Sequence, residues 1–417
     1  MRRILSLLLC TLLVVPFTLP ASAKAPVPAI KSQPGFATLT KAVDQTIDKN
    51  IKEGRIAGTV VLVSYDGQLV YHRAAGLADP EKKMPMKEDS LFRLASVSKA
   101  FTSMAAGALL EKGKLKLDDP VSKWLPDFKP KTADGKQPVV TVRHLMTHTA
   151  GLDYGFFQPK DGPYRKAGVS DGLERSDIAL DENIRRIASA PLLFEPGSAW
   201  HYSLAIDVLG GVVAKANGTS FPQAMADLVT IPLGMKDTVF YVQEKDRARM
   251  TAPYYLDREG KLARMNDRDA DVPMGEGSIH FSPDRPYDTK SWPSGGAGLT
   301  GTAPDLIILL ETIRKGGAPI ISDGLMKQMC ANQTGKLTVM PGTAYGLGWA
   351  VLTDPDAAKS PQSAGTLFWS GVYGHNWFTD PAKKLSVVIL TTTTLDSLES
   401  HGLATDVRDA IYTSLPK

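Results

Sequence analysis

A chain of 417 residues with 43% apolar residues is long enough to bury one large core or two interlocked ones. Its 48 basic and 44 acidic residues leave a net charge of +4 with no basic cluster, which excludes a nucleic-acid binder and a protein held by charge to an anionic membrane. The first segment, Met1-Arg2-Arg3, an apolar run from Ile4 to Leu19, then Ala21-Ser22-Ala23, has the three parts of a secretory signal peptide. Pro16 and Pro20 interrupt the run, which falls short of the roughly 20 apolar residues of a spanning helix. Cleavage after Ala23 and export, to the periplasm or beyond, are therefore expected, with no stable membrane anchor. Of the 48 basic residues, Arg2 and Arg3 would leave with residues 1–23, so 46 would face 44 acids for a net +2. Cys10 would leave too, and a lone Cys330 allows neither an intrachain disulfide nor a thiolate metal cluster.

Residues 24–35, with Pro26, Pro28 and Pro34, read as an extended leader. From Phe36, apolar residues at Leu39, Val43, Ile47 and Ile51 predict an amphipathic helix ending near Gly54. Thr59–Tyr65 and Gln68–His72 flank Asp66-Gly67, a strong hairpin signal. A helix-favouring stretch leads from Ser96 to Glu111. The middle, from about Pro120 to Lys290, reads as helical stretches between long Pro/Gly-rich loops. Strand patterns return at Tyr345–Leu352, Thr366–Trp369, Asn376–Thr379 and Leu385–Thr392, and a helix from about Ser400 to Ser414 closes the chain. The economical fold is α+β: an antiparallel sheet from both chain ends, flanked by the terminal helices, with a mostly helical insert. The expected division is an α/β domain of residues 36–119 and 291–417 and an insert of residues 120–290.

Candidate chemistry centres on Leu94-Ala95-Ser96-Val97-Ser98-Lys99. Residues three apart share a helix face, so Lys99 would stand behind Ser96 at the first turn. A serine hydroxyl is a poor nucleophile until a neighbouring base takes its proton, and an amine can serve. The helix N-terminus would point backbone N–H groups at the anion formed in acyl transfer. Ser-x-x-Lys alone is weak: Ser414-Leu415-Pro416-Lys417 matches it too, and a serine at a helix start is often only a cap.

The surroundings are more specific. Phe92–Lys99 (FRLASVSK), Leu115–Leu125, Val142–Leu152, Phe194–Gly210, Gly295–Asp305 and Tyr373–Leu390 resemble, in order, segments of the β-lactamase-like serine hydrolase superfamily. That superfamily includes class C β-lactamases, D,D-peptidases and family VIII carboxylesterases, and the resemblance is nearest to the last. It implies a β-lactamase/transpeptidase-like fold and maps its Tyr-x-Asn element onto Tyr202-Ser203-Leu204, with Tyr202 in proton transfer and Leu204 in place of the asparagine. It maps the third element, Lys-Thr-Gly or its variants, onto Trp369-Ser370-Gly371, similar to the Trp-Gly-Gly of family VIII esterases. A lysine there could pair with a carboxylate, whereas an indole offers one N–H and an apolar face, which favours neutral esters. The amides of Ser96 and Val372 would form the oxyanion hole, and Trp369, Ser370, Gly371 and His375 would line the substrate site.

The resulting expectation is a serine hydrolase, most simply a carboxylesterase, that needs no metal or organic cofactor. A β-lactamase or D,D-peptidase and a penicillin-binding-like sensor that acylates without turnover are the alternatives. The partner expected is a small ester or β-lactam-like molecule; the sequence leaves the oligomeric state open. His144-x-x-x-His148 has metal-pair spacing but lacks the glutamate of HExxH and an obvious third ligand. No Gly-x-Ser-x-Gly occurs, which argues against an ordinary α/β-hydrolase triad.

Overall fold

The computed structural model describes residues 34–274, 277–394 and 402–416. The signal segment, nearly all of the leader and the first residues of the expected last helix lie outside the described residues. The amphipathic N-terminal pattern forms α1 (Ala37–Lys52), with Leu39, Val43 and Ile47 buried along one stripe. β1 (Gly58–Tyr65) and β2 (Gln68–Asp79) follow as the expected hairpin. Asp66 (φ 49°) and Gly67 (φ 81°) both sit in the left-handed region that a tight two-residue hairpin turn demands.

A short strand, β3 (Met84–Pro85), follows, and α2 spans Ser98–Glu111. The middle of the chain contributes α3 (Ala205–Asn217), and α4 covers Ala303–Arg314. The C-terminal part supplies β4 (Thr343–Tyr345), β5 (Ala350–Leu352), β6 (Leu367–Gly371), β7 (His375–Asp380) and β8 (Leu385–Thr391), then α5 (Leu403–Ser414). One eight-stranded sheet runs β4-β5-β6-β7-β8-β1-β2-β3, so β1 from one end of the chain pairs antiparallel with β8 from the other.

β1 and β8 are buried almost end to end because helices cover both faces of the sheet, and side chains still alternate between faces. Val61, Val63, Val387 and Ile389 pack against Leu39, Val43 and Ile47 of α1 and Val407 and Ile411 of α5. Val60, Leu62, Val388 and Leu390 face the larger core with Met104, Leu306 and Leu310. α2 is buried from Ser98 to Leu109, with no polar outer face, and lies in the middle of the molecule.

Two readings are corrected. The run Tyr345–Leu352 is not one strand: Gly346 to Gly348, the latter at φ 121°, turn β4 back onto β5. The middle region holds two antiparallel hairpins, Tyr254–Leu256 with Leu262–Arg264 and Ala270–Met274 with Gly277–Phe281. In the second, Ala270, Val272, Ile279 and Phe281 form a small core with Met265 and Tyr373. Their alternation with exposed charged and polar residues was the strand signal, hidden by a helical reading of the whole region.

Candidate active site

The chain enters the site through Phe92–Arg93, which pairs antiparallel with Thr300–Gly301. It then turns through Ala95 at φ 44°, a region that non-glycine residues occupy only when their surroundings enforce it. Ala95 is fully buried among Leu173, Met265 and Tyr373. The turn Ala95–Val97 leads directly into α2, which leaves Ser96 half-buried at the helix mouth and Lys99 fully buried behind it. Lys99 Nζ lies 3.2 Å from Ser96 Oγ, 2.9 Å from Tyr154 Oη and 2.8 Å from the Gly296 carbonyl oxygen. Three partners match the three hydrogens of a lysine ammonium.

Tyr202 arrives from the segment ahead of α3 and donates to Ser96 Oγ at 2.7 Å. Its ring is wedged between Tyr154, Trp369 and His148, at centroid distances of 5.4, 5.1 and 4.8 Å. Trp369 Nε1–H points at Tyr202 Oη from 3.4 Å. The Ser96 hydroxyl thus has both Lys99 Nζ and Tyr202 Oη within hydrogen-bond reach.

β6 forms the opposite wall, and Trp369, Ser370 and Val372 line the cleft. A Cβ on Gly371 would lie 2.6 Å from the Leu94 carbonyl oxygen, so only glycine lets this strand close against the turn that carries Ser96. His375 is placed elsewhere: it is buried, its Nε2 meets the Arg93 carbonyl at 2.9 Å, and its Nδ1 accepts from the Thr391 amide at 3.3 Å. Its partners tie β7 to the neighbouring backbone, and burial lowers its pKa from 6.5 to about 4. The neighbouring Asn376, not His375, lines the cleft, because successive strand residues face opposite sides.

The two spaced histidines also have structural partners. His144 Nδ1 accepts from the Thr141 amide at 3.2 Å and caps the helix Val142–Met146. His148 lies beyond that helix, and its Nδ1 accepts from the Ser203 amide at 3.2 Å. Burial pushes the His148 imidazole well below its usual range, and the charge of Lys99 acts in the same direction.

Several site residues were not singled out from sequence. Tyr154, just past the matched segment Val142–Leu152, contacts Lys99; burial holds its phenol well above the ordinary value, and Tyr202 and Asp207 reinforce this. Asp207 is a fully buried acid in an otherwise apolar stretch of α3. Phe156, Phe157, Trp200, Met274 and Ile279 complete a cleft of about 490 Å³, with Asp171 also on its wall. Phe156 stacks on Tyr154 at 4.5 Å, and both residues line the cleft. Local spacing carries no signal for this grouping; chain folding brings the residues together from separate segments.

Comparison with known proteins agrees with this geometry. The β-lactamase family model matches residues 43–410. Esterase EstB of Burkholderia gladioli is 44% identical over 381 residues, covering 90% of this chain and 96% of that protein. The solved structure of EstCE1, a hydrolase with promiscuous acyltransferase activity, superposes with a TM-score of 0.85 at 42% identity, over 90% of this chain and 98% of that one. Simvastatin synthase LovD of Aspergillus terreus, at 20% identity and a TM-score of 0.70 over 90% of this chain and 98% of that one, shares the fold. The chain belongs to the β-lactamase-like family of serine hydrolases.

Proposed function

We propose that the protein is a carboxylesterase that acts on small, uncharged esters through a Ser96 acyl-enzyme. The observation that carries this reading is the convergence of Lys99 Nζ and Tyr202 Oη on Ser96 Oγ, 3.2 and 2.7 Å away, at the floor of an aromatic cleft. Tyr202 and Lys99 act as one proton-handling unit, so proton positions belong to the pair and not to either residue alone. Ser96 Oγ attacks the ester carbonyl carbon while its proton passes to this unit. The resulting oxyanion lies between the amides of Ser96 and Val372, near the first turn of α2. The tetrahedral intermediate collapses, the C–O bond to the alcohol breaks, and the unit returns the proton to the departing alkoxide. Water, deprotonated by the same unit, attacks the acyl-enzyme and releases the acid with Ser96 restored.

The choice of ester over β-lactam or peptide rests on the cleft's chemistry. Among the described residues that line it there is no lysine or arginine, and Trp369 holds the position where a carboxylate-binding lysine would stand. Similarity to esterase EstB supports the same choice. No helix among the described residues is long and apolar enough to cross a membrane, and we place the enzyme outside the cytoplasm on the strength of its N-terminal segment. The test is steady-state hydrolysis of p-nitrophenyl acetate and butyrate beside nitrocefin, with a Ser96→Ala control. Ester turnover lost in Ser96→Ala, with little nitrocefin cleavage, is the expected result. Equal turnover in that variant removes Ser96 as nucleophile, and strong nitrocefin cleavage overturns the substrate assignment.

A further inference from the structure

Asp207 is a buried carboxylate that the reaction above does not use. Its Oδ1 accepts from Ser294 Oγ at 2.5 Å and from the Gly296 amide at 3.0 Å. Its Oδ2 is buried without a hydrogen-bond partner. A buried acid with a bare oxygen is costly unless a nearby positive charge offsets it. That charge is Lys99. A methyl group built on Gly296 would sit 3.2 Å from Lys99 Nζ and collide with Asp207 Oδ2, so the two groups are separated by the width of that absent methyl. The same glycine links them through its peptide: Asp207 accepts from its N–H, and its carbonyl accepts from Lys99 Nζ at 2.8 Å.

We infer that Asp207 is a positioning residue for Lys99, which fixes the Gly296 peptide that orients the amine and places a negative charge beside it. The inference rests on the reading of Ser96, Lys99 and Tyr202 as the catalytic unit. Several other groups face this centre. Tyr154 and His148 come from the segment after the helix Val142–Met146, and Tyr202 lies under Lys99 Nζ, 4.7 Å from its ring centroid. The charge of Arg285 also acts on Asp207, and that of Asp171 acts on Tyr154. Asp207 is the acid whose bare oxygen is aimed at the space beside Nζ.

Asp207→Asn keeps the shape and an acceptor oxygen while it deletes the charge. Gly296→Ala keeps both charges and forces a methyl between them. The experiment measures kcat and KM for p-nitrophenyl butyrate from about pH 5 to 10 for both variants, with Ser96→Ala alongside. Rates are normalised to the folded fraction read from far-UV circular dichroism. The plateau kcat should fall about ten-fold with KM little changed, because orientation of the amine matters in the transition state and not in binding. Gly296→Ala should lower kcat in the same way, and it decides the question should Asp207→Asn not fold. A rise in KM as large as the fall in kcat would reduce Asp207 to packing, and rates within two-fold of the native enzyme in both variants would overturn the inference. Ester turnover that survives in Ser96→Ala would instead overturn the catalytic unit itself.

Discussion

Tyr154→Phe isolates one hydrogen bond at the heart of the site. The Tyr154 hydroxyl lies 2.9 Å from Lys99 Nζ in a fully buried setting, and its ring stacks on Phe156 at a centroid distance of 4.5 Å. Phenylalanine keeps the ring and its packing and removes only the oxygen. Lys99, itself fully buried, then has an N–H without its protein partner. A hydrogen bond to a charged group contributes about 1.5–3 kcal/mol, and an orphaned buried donor costs a similar amount. If that bond holds the amine on line with Ser96, kcat should fall roughly 10- to 100-fold, since about 1.4 kcal/mol corresponds to one decade. KM should stay within about three-fold, because the cleft wall that Tyr154 and Phe156 form is unchanged. The assay is p-nitrophenyl butyrate hydrolysis at saturating and sub-saturating substrate, with a melting curve to confirm the fold. A Tyr154→Phe enzyme with kcat within two-fold of native would refute the argument that this contact orients Lys99.

Further outcomes are expected. Tyr202→Phe, which deletes a 2.7 Å bond to the nucleophile, should cost about 100-fold or more in kcat. Trp369→Phe, which deletes a longer 3.4 Å contact to Tyr202, should cost about five-fold or less; a reversed order in the same ester assay would contradict the geometry. His375 is kept neutral by burial, with its pKa lowered from 6.5 to about 4, so folding releases its proton in acid. Its contribution is complete above pH 6.5 and is lost as pH falls towards 4, by up to about 3 kcal/mol. Urea midpoints that decline as steeply in a folded His375→Gln variant would rule this out. Asp171 has the opposite sign: burial, seconded by the charge of Glu174, raises its carboxyl from 3.8 to about 8. The folded protein therefore holds a proton there that the unfolded chain gives up, and stability declines as pH rises from about 4 to 8. Asp171→Asn should gain thermal stability relative to the native chain across that interval, and a constant difference in Tm would exclude the assignment.

Much of this molecule is written in local patterns. The three-to-four spacing of Leu39, Val43 and Ile47 determines α1, and Asp66-Gly67 determines the first hairpin, because both depend on nearby residues alone. Ser96 and Lys99 are three apart on one helix turn, so their pairing too follows from helix geometry. Tyr202 and Trp369 were reached through the order of matched segments, which carries long-range information that spacing does not. Only the tertiary structure decided which neighbours complete the site. Tyr154, Asp207 and Gly296 are far from Lys99 along the chain and gather around it because α2 is packed at the centre, where two loops and the first turn of α3 converge. It also decided against His375, whose place one residue from Asn376 on an alternating strand turns it into the core. A strand's faces are set by what covers each side of its sheet, and that covering comes from the terminal helices α1 and α5 on one face and from α2 and α4 on the other, beyond the reach of any local pattern.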